Sequence, residues 1–265
     1  MQWSEAVEAA LAHVPETFSL DLPLARRLYA LVDLTSLNDT DTDASIATFM
    51  QAARSPLGEV AAVCVYPRFV SLVATEFAGS SVQTATVVNF PSGDEPLDQV
   101  LVGIGRALQD GANEIDVVFP YLRYLAGERQ YAQSFVAACK AACGEGVLLK
   151  VILETGALQD PAIIADAAYD ALVSGADFVK TSTGKVAEGA SLAAAAVMLL
   201  VVKHMQPKVQ RPLGVKVSGG IRTADDAARY VALADQILGK DRVSASTFRI
   251  GASQLVQVLL NLARM

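Results

Sequence analysis

The sequence predicts a (β/α)8 barrel on three observations. Short apolar runs rich in β-branched residues alternate eight times with longer segments of helical periodicity from about Ala30 onward, the pattern of repeated βα units and a parallel sheet. The 265 residues of the chain match the length of about 250 at which a barrel forms one unit. No G-x-G-x-x-G follows an early run, whereas the competing architecture, an open doubly wound sheet, normally carries that loop.

Taken in order, the strands are expected at Ala30–Leu34, Val60–Val65, Thr84–Asn89, Glu114–Phe119, Val147–Leu153, Phe178–Thr181, Leu213–Val217 and Phe248–Gly251. Thr42–Ala53, Pro96–Gln109 and Asp160–Val173 are among the helical segments that follow them. Residues 1–29, with helical pieces at Glu5–His13 and Leu22–Leu28, are expected to cap the bottom or side of a barrel running from 30 to 265. No linker, low-complexity tract or charge block divides the chain, so residues 1–265 read as a single domain.

With 52% hydrophobic and 18% charged residues, the chain can bury a large core. A net charge of −7 without any Lys/Arg cluster argues against nonspecific nucleic-acid binding, which rests on clustered cations. A local anion pocket built from aimed amides and one or two cations stays open. Cys64, Cys139 and Cys143 form an odd set in a chain that needs no staples, so reduced thiols in a cytoplasm are expected. Cys139 and Cys143 stand one helical turn apart without a second ligand pair, and read as packed residues rather than a zinc site. Met1–Ala10 carries Glu5 and Glu8 and no basic or apolar signal region, so no secretory signal is expected. The longest apolar run, Leu192–Val202, falls well short of the roughly 20 residues that span a bilayer.

Function is sought where charge interrupts buried sequence. Asp33, Asp116, Lys150, Lys180 and Lys216 each sit inside a predicted strand. Burying any one alone is costly, so two acids and three bases converging in one barrel mouth is the economical arrangement. Lys180 and Lys216 fall on neighbouring strands, where like charges disfavour one another. A lysine near pKa 10.4 is neutral about one time in 2,500 at pH 7, whereas lowering it by about 3 units frees half of it. A free amine can attack a carbonyl, and the resulting iminium serves as an electron sink for making or breaking the adjacent carbon–carbon bond. The metal-dependent route to such chemistry usually takes a histidine-rich set, and only His13 and His204 exist, both in predicted helices. The iminium route is therefore expected over the metal route.

Three turns offer small residues and free amides: Ser182–Lys185 after the sixth strand, Ser218–Arg222 after the seventh and Gly251–Ser253 after the eighth. Barrels frequently hold phosphate in the seventh and eighth loops, and Lys185 and Arg222 add cations.

Val32-Asp-Leu-Thr-Ser-Leu-Asn38, Cys64-Val-Tyr-Pro-Arg68, Asn89-Phe-Pro91, Glu114-Ile-Asp-Val-Val-Phe-Pro120, Phe178-Val-Lys-Thr-Ser-Thr-Gly-Lys185, Val215-Lys-Val-Ser-Gly-Gly-Ile-Arg222 and Arg249-Ile-Gly-Ala-Ser253 occur in this order. Together they resemble the deoxyribose-phosphate aldolase family from about Leu31 to Leu260. The resemblance implies reversible cleavage of 2-deoxy-D-ribose 5-phosphate to acetaldehyde and D-glyceraldehyde 3-phosphate without metal or organic cofactor; family members are often homodimers, but no exposed stripe of this sequence identifies an interface. It also implies roles: Lys180 as the Schiff-base lysine, Lys216 as the lysine that perturbs it, and Asp116 as the acid working with Lys216 and a water in proton transfer. Gly184, Lys185, Gly219, Gly220, Arg222, Gly251 and Ser253 would line the phosphate pocket, with Asp33, Lys150 and Thr183 in the surrounding network. Cys64 would lie near the mouth as a packed residue, since no histidine activates it.

Two departures stand out. Gln254 occupies a position that is often a second serine, and Asn261–Met265 does not extend into the tyrosine-ended tail of some members; if that tail helps the proton transfer, the enzyme is expected either to be slower or to rely more heavily on Asp116 and its water. A different phosphosugar aldolase or isomerase, and a noncatalytic phosphometabolite-binding barrel, are the competing functions. The second of these has no need for paired lysines.

Overall fold

Eight parallel strands close on themselves in the computed structural model, which describes residues 3–263. Met1, Gln2, Arg264 and Met265 lie outside the described residues, and with them the ends of the Met1–Ala10 and Asn261–Met265 stretches considered above. The barrel strands are β1 (Val32–Ser36), β2 (Ala62–Val65), β3 (Gln83–Val88), β4 (Glu114–Val118), β5 (Leu148–Ile152), β6 (Phe178–Lys180), β7 (Gly214–Ser218) and β8 (Phe248–Ala252). Each strand pairs in parallel with its neighbours in the chain, and β8 with β1 closes the ring. The expected barrel is borne out, with every strand boundary within two residues of its predicted place.

The helices are α1 (Trp3–Leu11), α2 (Leu22–Ala30), α3 (Asp43–Met50), α4 (Val70–Glu76), α5 (Leu97–Gln109), α6 (Tyr121–Leu125), α7 (Arg129–Cys143), α8 (Thr155–Leu158), α9 (Pro161–Val173), α10 (Leu192–Met205), α11 (Ala224–Leu238) and α12 (Leu255–Leu262). Local chemistry sets several of their starts. Thr42 and Ser45 cap α3 reciprocally, Asp160 caps α9 just before Pro161, Ser191 caps α10, and Thr223 caps α11 ahead of Asp225 and Asp226. Each cap satisfies an amide that the first turn leaves orphaned, and the two aspartates oppose the positive end of the helix dipole. α6, α8 and a small antiparallel ribbon pairing Arg54–Ser55 with Gly58–Glu59 were not foreseen, being too short to carry a period.

α1 and α2 pack against outer helices, α1 on α9, α10 and α11, and α2 on α11 and α12. Arg27 grips Asp235 of α11 at 2.5 Å. His13 lies in the turn after α1 rather than in the helix, and His204 is exposed in the last turn of α10.

Side chains alternate across a strand, and here the two faces differ in kind. One set, including Val32, Leu34, Ile115, Val117, Leu149, Val151, Val215, Val217 and Ile250, joins the large core between barrel and helices. The other set faces inward and is divided. β2 and β3 contribute small apolar residues, Ala62, Cys64, Ala85 and Val87, while β1 and β4–β8 contribute charges that meet one another across the barrel.

Candidate active site

Asp116 on β4 is the hub of the interior. Its Oδ1 accepts a hydrogen bond from Lys150 Nζ at 2.9 Å, and its Oδ2 accepts from Lys180 Nζ at 2.9 Å and Lys216 Nζ at 2.8 Å. The register explains the meeting: Asp116 stands opposite Lys150, and Lys180 opposite Lys216, and such partners project from the same face of the sheet. Lys216 also lies 2.6 Å from Asp33, an ionic contact off the hydrogen-bonding direction, and Arg249 donates to Asp33 at 2.6 Å and to Glu114 at 2.8 Å. Lys150 completes the circuit at 2.6 Å from Glu114.

Charge therefore alternates around a closed ring: Arg249, Asp33, Lys216, Asp116, Lys150, Glu114, and back to Arg249. None of the six is more than 4% exposed. Such burial is tolerable only because every charge faces opposite charges on both sides. Three acids and three bases already balance, and Lys180 is a seventh group, attached through Asp116.

That surplus position sets Lys180 apart from the other two lysines. Burial pushes Lys180 below the ordinary lysine value, and repulsion from Lys216 adds to this against the opposing pull of Asp116. Burial acts on Lys216 and Lys150 in the same direction, but the carboxylates around them outweigh it and hold both above the ordinary value. Asp116 and Asp33 stay well down in their turn, because nearby cations overcome the effect of burial.

The five charges picked out in the sequence, Asp33, Asp116, Lys150, Lys180 and Lys216, thus lie in one network. Glu114 and Arg249 were missed as members of it. The signal was present: Glu114 precedes Asp116 by two residues and so shares its face, and Arg249 lies within a predicted strand. Cys64 faces the same interior from β2 among Ala62, Ala85 and Val87, and burial raises its thiol pKa, keeping it protonated.

Above the ring opens a cavity of about 390 Å³. Lys180 is the one ring-associated cation that lines it; Lys150, Lys216 and Arg249 lie beneath. Gly184, Lys185, Gly219, Gly220, Arg222, Gly251 and Ser253 all line the cavity, with Thr183 and Gln254. Gly219 and Gly220 have φ of +95° and +85°, a turn open to glycine at little cost. A Cβ on Gly219 would come within 3.0 Å of Gly189 Cα, so the loops after β6 and β7 touch backbone to backbone, joined by Ala190 N–H donating to Gly219 O at 3.0 Å. Lys185 reaches across the mouth and donates to Leu37 O at 2.7 Å.

Glu154, just past β5, was also missed. It is fully buried in a left-handed backbone conformation (φ 57°) and accepts the Thr183 hydroxyl proton at 2.6 Å. Burial raises its pKa. The strain of a non-glycine residue held there is a property of the tertiary structure that no local sequence pattern announces.

Residues 27–258 match the DeoC/LacD family aldolase model. The chain belongs to the DeoC/LacD family of aldolases. This aldolase superposes on a candidate deoxyribose-phosphate aldolase of Coccidioides immitis with a TM-score of 0.77 and 28% identity, covering 100% of this chain and 97% of that one. A Toxoplasma gondii ME49 candidate of the same activity, in its apo form, gives 0.82 and 28%, over 92% and 96% of the two chains. The deoxyribose phosphate aldolase of Aeropyrum pernix, which is tetrameric, gives 0.73 and 25%, over 97% and 96%.

Proposed function

We propose that this aldolase cleaves 2-deoxy-D-ribose 5-phosphate reversibly to D-glyceraldehyde 3-phosphate and acetaldehyde through a Schiff base on Lys180. The observation that carries the reading is the placement of Lys180: the cation left over from a neutral ring, at the floor of the cavity edged by the three anion-binding turns.

The free amine of Lys180 adds to the C1 aldehyde of the open-chain sugar, and loss of water leaves an iminium. Removal of the C3 hydroxyl proton lets the C2–C3 bond break, its electron pair passing to the iminium nitrogen as an enamine. D-Glyceraldehyde 3-phosphate leaves, the enamine takes a proton at C2, and water releases acetaldehyde from Lys180. Asp116, bound by three ammonium groups, is too well stabilised as an anion to take a proton outright. It holds the Lys216 ammonium instead, and since Lys216 does not line the cavity, a water carries its proton: Lys216 gives one up as the carbinolamine loses water, takes the C3 hydroxyl proton in return, passes it to C2 of the enamine and recovers one when water releases acetaldehyde.

The phosphate lies against the amides of Gly184, Gly219, Gly220 and Ser253, with Arg222 and Lys185 supplying positive charge. In the same reading the enzyme works in a cytoplasm, where its three thiols stay reduced, and assembles with its own copies as a homodimer. Incubation with acetaldehyde and borohydride, followed by peptide mapping, tests the mechanism: an adduct on Lys180 is expected, and one on Lys150 or Lys216 overturns the assignment. Product analysis with deoxyribose 5-phosphate against fructose phosphates tests the substrate.

A further inference from the structure

We propose that Arg249 and Glu114, on the far side of the ring from Lys180, are positioning residues that set the charge facing the Lys180 amine and thereby the pH at which it becomes nucleophilic. The inference rests on the reading of Lys180 as the Schiff-base lysine.

Neither residue reaches the cavity, so neither touches substrate. Both are built into the ring with more contacts than a simple anchor needs. Arg249 binds Asp33 at 2.6 Å, the two oxygens of Glu114 at 2.8 and 3.2 Å, and stacks its guanidinium 5.8 Å from the Phe178 ring centroid. Glu114 is shared between Arg249 and Lys150. Arg249 is thus the second cation of Asp33, whose first is Lys216, and Glu114 is the second anion of Lys150, whose first is Asp116. Taking either away leaves Lys216 or Lys150 to rebalance against Asp116, the one carboxylate that also holds Lys180.

The groups facing Lys180 can be named from every wall of its site. Asp116 comes from β4, Lys216 from β7, Cys64 from β2 and Glu154 from the end of β5, with Lys150 and Asp33 behind Asp116. Arg249 and Glu114 are the two members of the ring absent from this immediate set. In so buried an interior their charges are felt beyond contact distance, because the effective dielectric is far below that of bulk water.

The sign of each effect follows. Replacing Arg249 by a neutral residue leaves the ring with one excess negative charge, which favours the protonated form of Lys180 and moves its titration to higher pH. Neutralising Glu114 leaves one excess positive charge and moves the titration to lower pH. Neutralising both restores the balance. A purely structural role predicts something else: loss of the same sign in both single variants and a larger loss in the double.

The experiment uses the full chain and acetaldehyde as the probe. The rate of borohydride-trapped adduct formation on Lys180 is followed between pH 5 and 9 for the unchanged protein and for Arg249→Gln, Glu114→Gln, the double variant and Arg249→Lys. We expect the midpoint to rise by about one unit in Arg249→Gln and to fall by about one unit in Glu114→Gln, a tenfold change in trapping rate on the acid side of the midpoint. The double variant and Arg249→Lys should return to within about 0.3 unit of the starting value. Shifts of equal sign, no shift, or a double variant displaced further than either single one overturn the inference. If one single variant does not fold, the sign of the other still decides. If neither folds, the double variant decides by returning to the original midpoint or not. Absence of any Lys180 adduct in the unchanged protein is a different outcome, and removes the proposed function itself.

Discussion

Lys180 and Lys216 donate to one and the same oxygen, Asp116 Oδ2, at 2.9 and 2.8 Å. Two ammonium groups on one oxygen compete for it, and Lys216 wins because Asp33 supports it from the other side. Lys216→Leu should therefore hand Asp116 to Lys180, whose proton is then held more tightly. We expect kcat/KM to fall about 100-fold at pH 7, with the acid limb of the pH profile displaced to higher pH. Lys180→Leu should abolish trapping altogether while leaving the circular dichroism spectrum unchanged. An undisplaced acid limb in Lys216→Leu would show that Lys216 does not govern the amine.

Gly251 supplies room for the same lysine. A Cβ at this position would stand 2.8 Å from Ser218 Cβ, closer than real contacts come, and 3.1 Å from Lys216 Cε, tight enough that the lysine must give way by a few tenths of an ångström. Gly251→Ala should cost about 1–3 kcal/mol of stability through overpacking and lower kcat more than it raises KM, since Lys216 must give way while the amides proposed to hold the phosphate stay. Urea unfolding and steady-state kinetics read the two effects separately, and unchanged kcat would mean that Lys216 tolerates the displacement.

The barrel and most of the candidate site were legible because both rest on period-two patterns. Eight apolar runs announced eight strands, and a charge embedded in such a run must turn inward to a partner, which brought Asp33, Asp116, Lys150, Lys180 and Lys216 together. Glu114 and Arg249 escaped because each stands at or near the start of its strand, where a charge reads as a solvated end. Only the closed barrel shows that those starts meet across its interior. Glu154 escaped for a different reason: its side chain is turned to Thr183 by a left-handed backbone conformation that depends on the packing of the β5 and β6 loops.

Arg222 lines the cavity from an exposed position, so its removal should not disturb the fold. Arg222→Ala is expected to raise KM for deoxyribose 5-phosphate about tenfold, the loss of one charge-assisted contact to phosphate, and to leave kcat/KM for unphosphorylated deoxyribose within about twofold. Equal losses on both sugars would place Arg222 in the reaction rather than in phosphate recognition.

Asp33 should carry much of the resistance of this barrel to acid. The cations around Asp33 and Asp116 outweigh burial and hold both carboxyls below the ordinary aspartate value. The unfolded chain therefore binds protons that the folded one refuses, and stability rises with pH across that interval. The contribution is complete above about pH 4, the unfolded value, and is lost as pH falls towards the depressed folded values. Asp33→Asn removes one such group, and also leaves Lys216 and Arg249 with one fewer partner, an expected cost of about 3–5 kcal/mol at pH 7. Because the variant has one carboxyl fewer to protonate, its stability should fall less steeply between pH 4 and 2, by up to about 1.4 kcal/mol per pH unit. Urea unfolding at a series of pH values should show the two curves converging in acid. Parallel curves separated by a constant offset would mean that Asp33 is held by packing and not by the cations of the ring.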